Sequence, residues 1–219
     1  MVRTDRIHFM DAWETQRRLA DARRDELIPD VIWLLEHDPV FTTGRHGMRA
    51  DLFLDDATLE GHGASFVTTD RGGLMTWHGP GQSVAYVIHD LRGTRRVRPF
   101  VMALAEAMAE ASGIPGTAAG DDAMGAYVDG RKIGSVGIRV SRGITMHGLA
   151  LNREIDLEWF SLMTACGAPD VPATSIAAEN GNPERSVIEN RLVASIARRL
   201  ERTPQEIALE DALPAGPVR

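Results

Sequence analysis

The chain is nearly without lysine and nearly without cysteine. Of its 24 basic residues one, Lys132, is a lysine, and Cys166 is its single cysteine. One thiol excludes an intramolecular disulfide and any metal cluster built on several thiolates. No apolar run approaches the ~18 residues of a membrane span, and the opening MVRTDRIHFMDAW lacks the apolar core of a signal peptide. A cytoplasmic location is therefore expected, with no membrane partner. A formal net charge of −7 lacks the basic excess that general nucleic-acid binding requires. The chain has no G-x-x-x-x-G-K-[ST] phosphate loop, no G-x-G-x-x-G, no H-E-x-x-H and no G-x-S-x-G elbow, and its histidines do not sit at metal-ligand spacings. ATPase, dinucleotide and zinc-protease chemistry have no local support, and neither metal nor cofactor is expected.

What is present reads as one α+β domain over residues 1–219, a mixed, mostly antiparallel sheet flanked by helices. Residues 11–27 form an amphipathic helical pattern and 31–37 a short apolar strand. A loop is expected over 42–56, a strand over 65–70, a Gly-rich loop over 71–82 and a strand over 83–91. Residues 97–113 are the best helix, closed by Gly113. Residues 125–152 alternate as a three-stranded meander with turns at Asp129-Gly130 and Arg142-Gly143. A short helix over 157–163, a long one over 183–202 and a third starting at Pro204 complete the reading, with a loose tail.

Lysine and cysteine differ from arginine in exchanging protons within reach of neutral pH. Cys166 lies in TACGAP, among small residues and a turn; it is either a small buried hydrophobe or a reachable thiol. A reachable thiol is a useful nucleophile only where a neighbouring charge favours the thiolate. Lys132, just after the Asp129-Gly130 turn, is either a solvated hairpin residue or that charge. RGGLMTWHGPGQ (71–82) holds four glycines in twelve residues. Such a loop serves turn geometry or lets backbone approach a ligand closely. The cluster Arg92, Arg95, Arg96 and Arg98 is either a solvated loop or a dock for an acidic partner.

Three stretches, RGGLMTWHGPGQ, RKIGSVGIRVSRGITMHGLALN and CGAPDVPATSI, together resemble the signature regions of the lipoyl(octanoyl) transferases, in order and over about residues 31–178. The resemblance implies the fold of the biotin/lipoate protein ligase superfamily, with an acyl tunnel along its sheet. It implies that Cys166 is the nucleophile that takes octanoyl as a thioester, and that Lys132 lowers the thiol pKa and moves protons. It implies a substrate-binding set of Arg71, Gly72, Gly73, Leu74, Met75, Thr76, Trp77 and His78, with Ser135, Val136, Gly137, Gly148, Leu149 and Ala150. The implied donor is octanoyl-acyl carrier protein. The implied acceptors are lipoyl domains of 2-oxoacid dehydrogenase complexes and the glycine cleavage H protein. No ATP is required, because the donor thioester already carries the activation. Leu74-Met75, Met146 and Ala165 depart from the family pattern and bear on chain-length preference. An ATP-dependent lipoate–protein ligase, a cysteine thioesterase and a non-catalytic acyl-binding module are the competing readings.

Overall fold

A computed structural model describes residues 1–94, 96–120, 124–164 and 171–213. In chain order the elements are β1 (Val2–Ile7), α1 (Phe9–Arg24), β2 (Val31–His37), β3 (Val40–Thr43), α2 (Asp56–Gly61), β4 (Ser65–Thr68), β5 (Met75–His78), β6 (Gln82–Ile88), α3 (Val97–Ser112), β7 (Ala118–Gly120), β8 (Gly125–Val128), β9 (Arg131–Ser141), β10 (Ile144–Asn152), α4 (Arg185–Arg199) and α5 (Leu209–Ala212). Short 3-10 turns lie at Arg49–Asp51 and Leu157–Leu162.

Seven strands form the main sheet in the order β1-β2-β6-β10-β9-β8-β7; only β1 and β2 run parallel. A second sheet, β4-β3-β5, was not expected from the sequence. Strand alternation gives the main sheet two apolar faces. Leu34, Ala85, Val87, Leu149 and Leu151 meet Leu104 and Met108 of α3 and Leu192 and Ile196 of α4 on one side. Trp33, Leu35, Val84, Tyr86 and Ala150 meet Phe9, Ala12, Trp13 and Leu19 of α1 on the other. The parallel β1–β2 step needs a crossover, and α1 supplies it with a buried stripe at helical spacing.

The predicted meander is present as β8–β9–β10, and both turns carry positive φ at their two central residues (45° and 79°, then 50° and 85°), as two-residue hairpins require. Gly113 ends α3 in the left-handed conformation at φ 67°. Three expectations are corrected. The loop over 42–56 begins inside β3, whose Val40–Thr43 is fully buried between β4 and β5. The Gly-rich segment is loop only at its two ends, since Met75–His78 is a strand. No helix starts at Pro204; residues 202–208 have no regular secondary structure, Ile207 N–H donates to Met1 O at 3.0 Å, and α5 begins only at Leu209. The tail over 214–219 lies outside the described residues. No described helix is long and apolar enough to cross a membrane.

Candidate active site

β5 sorts the Gly-rich segment into two populations. Met75 and Trp77 point into the small-sheet core with Phe41, while Thr76 and His78 face the main sheet. Between β5 and the main sheet runs a narrow groove of about 50 Å³. Strand register fixes its floor. Ser135, Ala150 and Val84 form one cross-strand row, and Gly137, Gly148 and Tyr86 the next. Small residues at Ser135, Gly137, Gly148 and Ala150 leave room that larger side chains would occupy. A Cβ on Gly137 would meet Arg71 Cδ at 3.2 Å and Gly72 O at 3.3 Å, which places Arg71 and Gly72 above this row.

Of the implied binding set, Arg71, Gly73, Thr76, His78, Ser135, Val136, Gly137, Gly148, Leu149 and Ala150 line this groove. Gly72, Leu74, Met75 and Trp77 do not. Phe9, Val84, Tyr86 and His147 complete the lining, and none of them belongs to the implied set. Arg71 is buried, and its guanidinium donates to Thr42 O at 2.7 Å, Thr42 Oγ1 at 3.0 Å and Gly72 O at 3.0 Å. Those bonds hold the Gly-rich loop on the small sheet. Gly73, at φ 85°, turns the chain there in a conformation that disfavours side chains.

Three buried histidines surround the groove, and their partners assign their tautomers. His37 donates from Nδ1 to Ile7 O at 2.9 Å, so its Nε2 accepts from the Tyr86 hydroxyl at 2.5 Å. His78 donates from Nδ1 to Gln82 Oε1 at 2.7 Å. His147 donates from Nε2 to Asp70 at 3.0 Å. Burial lowers His37 to about 4 and His78 to about 3. Burial, followed by the charges of Arg71, Arg139 and Arg17, lowers His147 to about 3. All three are neutral imidazoles at neutral pH, and the His147–Asp70 contact is a hydrogen bond to a carboxylate.

At Thr76 and Ser135 the groove meets a larger cavity of about 510 Å³ that also contains Lys132, Asn152, Phe53, Thr164, Val171 and Ala173. Lys132 is half-buried, with Nζ 5.4 Å from the Tyr127 ring centre. Its backbone is clamped on both sides by the segment after the cysteine stretch: Lys132 N–H donates to Pro172 O at 2.8 Å and Thr174 N–H to Lys132 O at 2.9 Å. The segment before that stretch is fixed by Thr164 N–H donating to Asp51 O at 2.7 Å. Cys166 itself lies outside the described residues.

A buried amide ladder joins these parts. Gln82 Nε2 donates to Trp77 O at 3.2 Å and Asn152 Oδ1 at 2.9 Å, and Asn152 Nδ2 donates to Thr174 O at 2.9 Å. Thr174 in turn holds Lys132, so the ladder runs from His78 to the lysine. The arginine cluster is elsewhere. Leu91 N–H donates to Gly143 O at 2.8 Å, at the far end of β9 from Lys132, about 30 Å away at ~3.3 Å per strand residue. Arg92 pairs with Asp90 and Glu26, and Arg95 lies outside the described residues.

A family model described as the lipoyl protein ligase A/B catalytic domain matches residues 8–197. An octanoyltransferase from Alcanivorax borkumensis is 37% identical over 208 residues, covering 94% of this chain and 82% of that protein. Two solved structures share the fold. A lipoate-protein ligase A bound with ATP gives a TM-score of 0.70 at 13% identity, covering 97% of this chain and 90% of that one. A bipartite lipoate protein ligase from Thermoplasma acidophilum, described with its E2 lipoyl domain, gives 0.67 at 14% identity, again covering 97% and 90%. With the groove, the lysine cavity and these likenesses together, the chain belongs to the lipoyl protein ligase A/B catalytic-domain family, and within it to the acyltransferases named octanoyltransferase.

Proposed function

We propose that this enzyme moves an octanoyl group from octanoyl-acyl carrier protein to a lipoyl-domain lysine, in the cytoplasm, through a thioester on Cys166. The observation that carries the reading is the cavity of Lys132. It shares Thr76 and Ser135 with the small-residue groove, and its wall includes Thr164 and Val171, which flank the cysteine stretch. Acceptors of the lipoyl-domain kind follow from family membership and from the lipoyl domain described with the archaeal relative.

The steps balance without ATP. The Cys166 thiolate attacks the donor carbonyl, the acyl–sulfur bond of the carrier breaks, and Lys132 gives its proton to the departing sulfur. Neutral Lys132 then takes a proton from the acceptor lysine's ammonium. The freed amine attacks the Cys166 thioester, an amide forms, the thiolate returns, and one proton passes to solvent. Lysine can serve both turns because it both holds charge and exchanges protons, which arginine does not.

Intact mass spectrometry after mixing with octanoyl carrier protein tests this reading. An increase of one octanoyl group, absent in Cys166→Ala and discharged by a lipoyl domain, is the expected result. Transfer that requires ATP and free acid, with no adduct on the enzyme, would overturn it in favour of a ligase.

A further inference from the structure

The groove and a second cavity lie in line on the same face of the main sheet. Beyond the Gly137–Gly148–Tyr86 row, the next paired residues are His147 and Ile138, and after them Met146 and Arg139. Met146 and Arg139 border a separate space of about 230 Å³ with Arg17 and Ile144, between α1 and the β9–β10 turn. The two linings share no residue. His147 lines the groove, whereas its neighbour Met146 lines the outer space.

His147 is fixed in this position by its backbone and by its ring. It has φ 60°, a left-handed conformation uncommon for a non-glycine residue in a strand, and its N–H donates to Gln16 Oε1 at 2.7 Å. Its ring donates to Asp70, which also pairs with Arg139 on the outer side. Trp13 stands against the ring at 6.1 Å between centres.

We propose that His147, held by Asp70 and Arg139, is the end wall that sets acyl chain length, and that the outer cavity is room the wall denies to longer chains. From the Ser135 row to the His147 row is three strand residues, about 10 Å. An extended eight-carbon chain, with single bonds of about 1.5 Å advancing about 1.25 Å each, is about 9 Å long. Eight carbons therefore match the floor in length, and further methylenes meet the imidazole. The proposal rests on the acyl-transfer reading above and adds which residue selects the substrate.

The test compares kcat/KM for octanoyl and dodecanoyl carrier proteins. Asn tolerates positive φ and is shorter than His, so His147→Asn opens the wall while keeping the backbone. It should raise the dodecanoyl-to-octanoyl ratio by on the order of tenfold or more, the scale of discrimination by fit in an apolar pocket. Arg139→Ala, on the outer side, removes the tether of Asp70 without emptying the core and should raise the ratio less. If both variants melt like the wild type, transfer octanoyl and keep the wild-type ratio, the wall is elsewhere and the proposal fails. If the wild type transfers octanoyl from no carrier protein, the acyl-transfer reading fails first, whatever the variants do.

Discussion

At the scale of single residues the informative positions are the lone lysine and the imidazoles. If Lys132 acts by charge alone, Lys132→Arg should retain most turnover. If it also carries protons, the arginine variant should keep the thiol reactive towards a small alkylating agent yet lose turnover by ~10²–10⁴-fold. Lys132→Met should lose both, as the thiol returns towards its ordinary pKa of about 8.5. Alkylation and transfer rates measured across pH separate the three; a methionine variant that behaves like the wild type in both would dissolve the pairing. Because backbone bonds to Pro172 and Thr174 hold this position, such changes leave the strand in place. The singularity of Lys132 was legible in the sequence. The roles of Phe9, Tyr86 and His147 around the groove were not, because each comes from a different element and only folding brings them together.

At the scale of elements, the amide ladder makes a strand end part of the site. Asn152→Ala would take from Gln82 Nε2 one of its two acceptors, leaving Trp77 O, and would leave Thr174 O without its amide donor, at about 1–3 kcal/mol for the unsatisfied buried group. The expected result is a fall in kcat with KM little changed. Ile196→Ala, buried in α4 and remote from the ladder, serves as the control at matched loss of melting temperature. Equal falls in kcat would reduce Asn152 to a purely structural residue. Strands with strong alternation or fully apolar runs, such as β2 and the meander, could be read directly from sequence. β3 could not, because its Phe-Thr-Thr runs into a Gly-Arg-His-Gly loop signal, nor could β5, which glycines flank on both sides. β1, VRTDRI, carries three charges in six residues and becomes a strand through its pairing with β2. The groove floor was invisible for a different reason. It depends on which residue of β9 faces which of β10 and β6, and a slip of one residue would turn Ser135 and Gly137 to the opposite face.

At the scale of the whole molecule the buried histidines predict acid sensitivity. His37, His78 and His147 are lowered to about 4, 3 and 3 in the folded state, against 6.5 ordinarily. Between those values the unfolded chain binds more protons, so stability rises with pH and is lost as pH falls below about 6.5. Each histidine contributes a slope of up to about 1.4 kcal/mol per pH unit. Urea unfolding between pH 6.5 and 5, above the range where carboxylates titrate, should show the decline, and a flat profile would mean that the cluster is not buried and neutral. A second consequence follows from how β1 is held. Arg185 donates to Thr4 O at 2.7 Å across 181 residues of sequence, Arg3 pairs with Glu189, and Ile207 covers Met1. β1 is made before the segments that clasp it. Until α4 and the segment after it emerge, the growing chain carries an uncovered sheet edge, the feature most prone to pairing with another molecule. Yield in the cell should therefore depend on how quickly α4 and the segment after it are made and docked, more than on the stability of the finished fold.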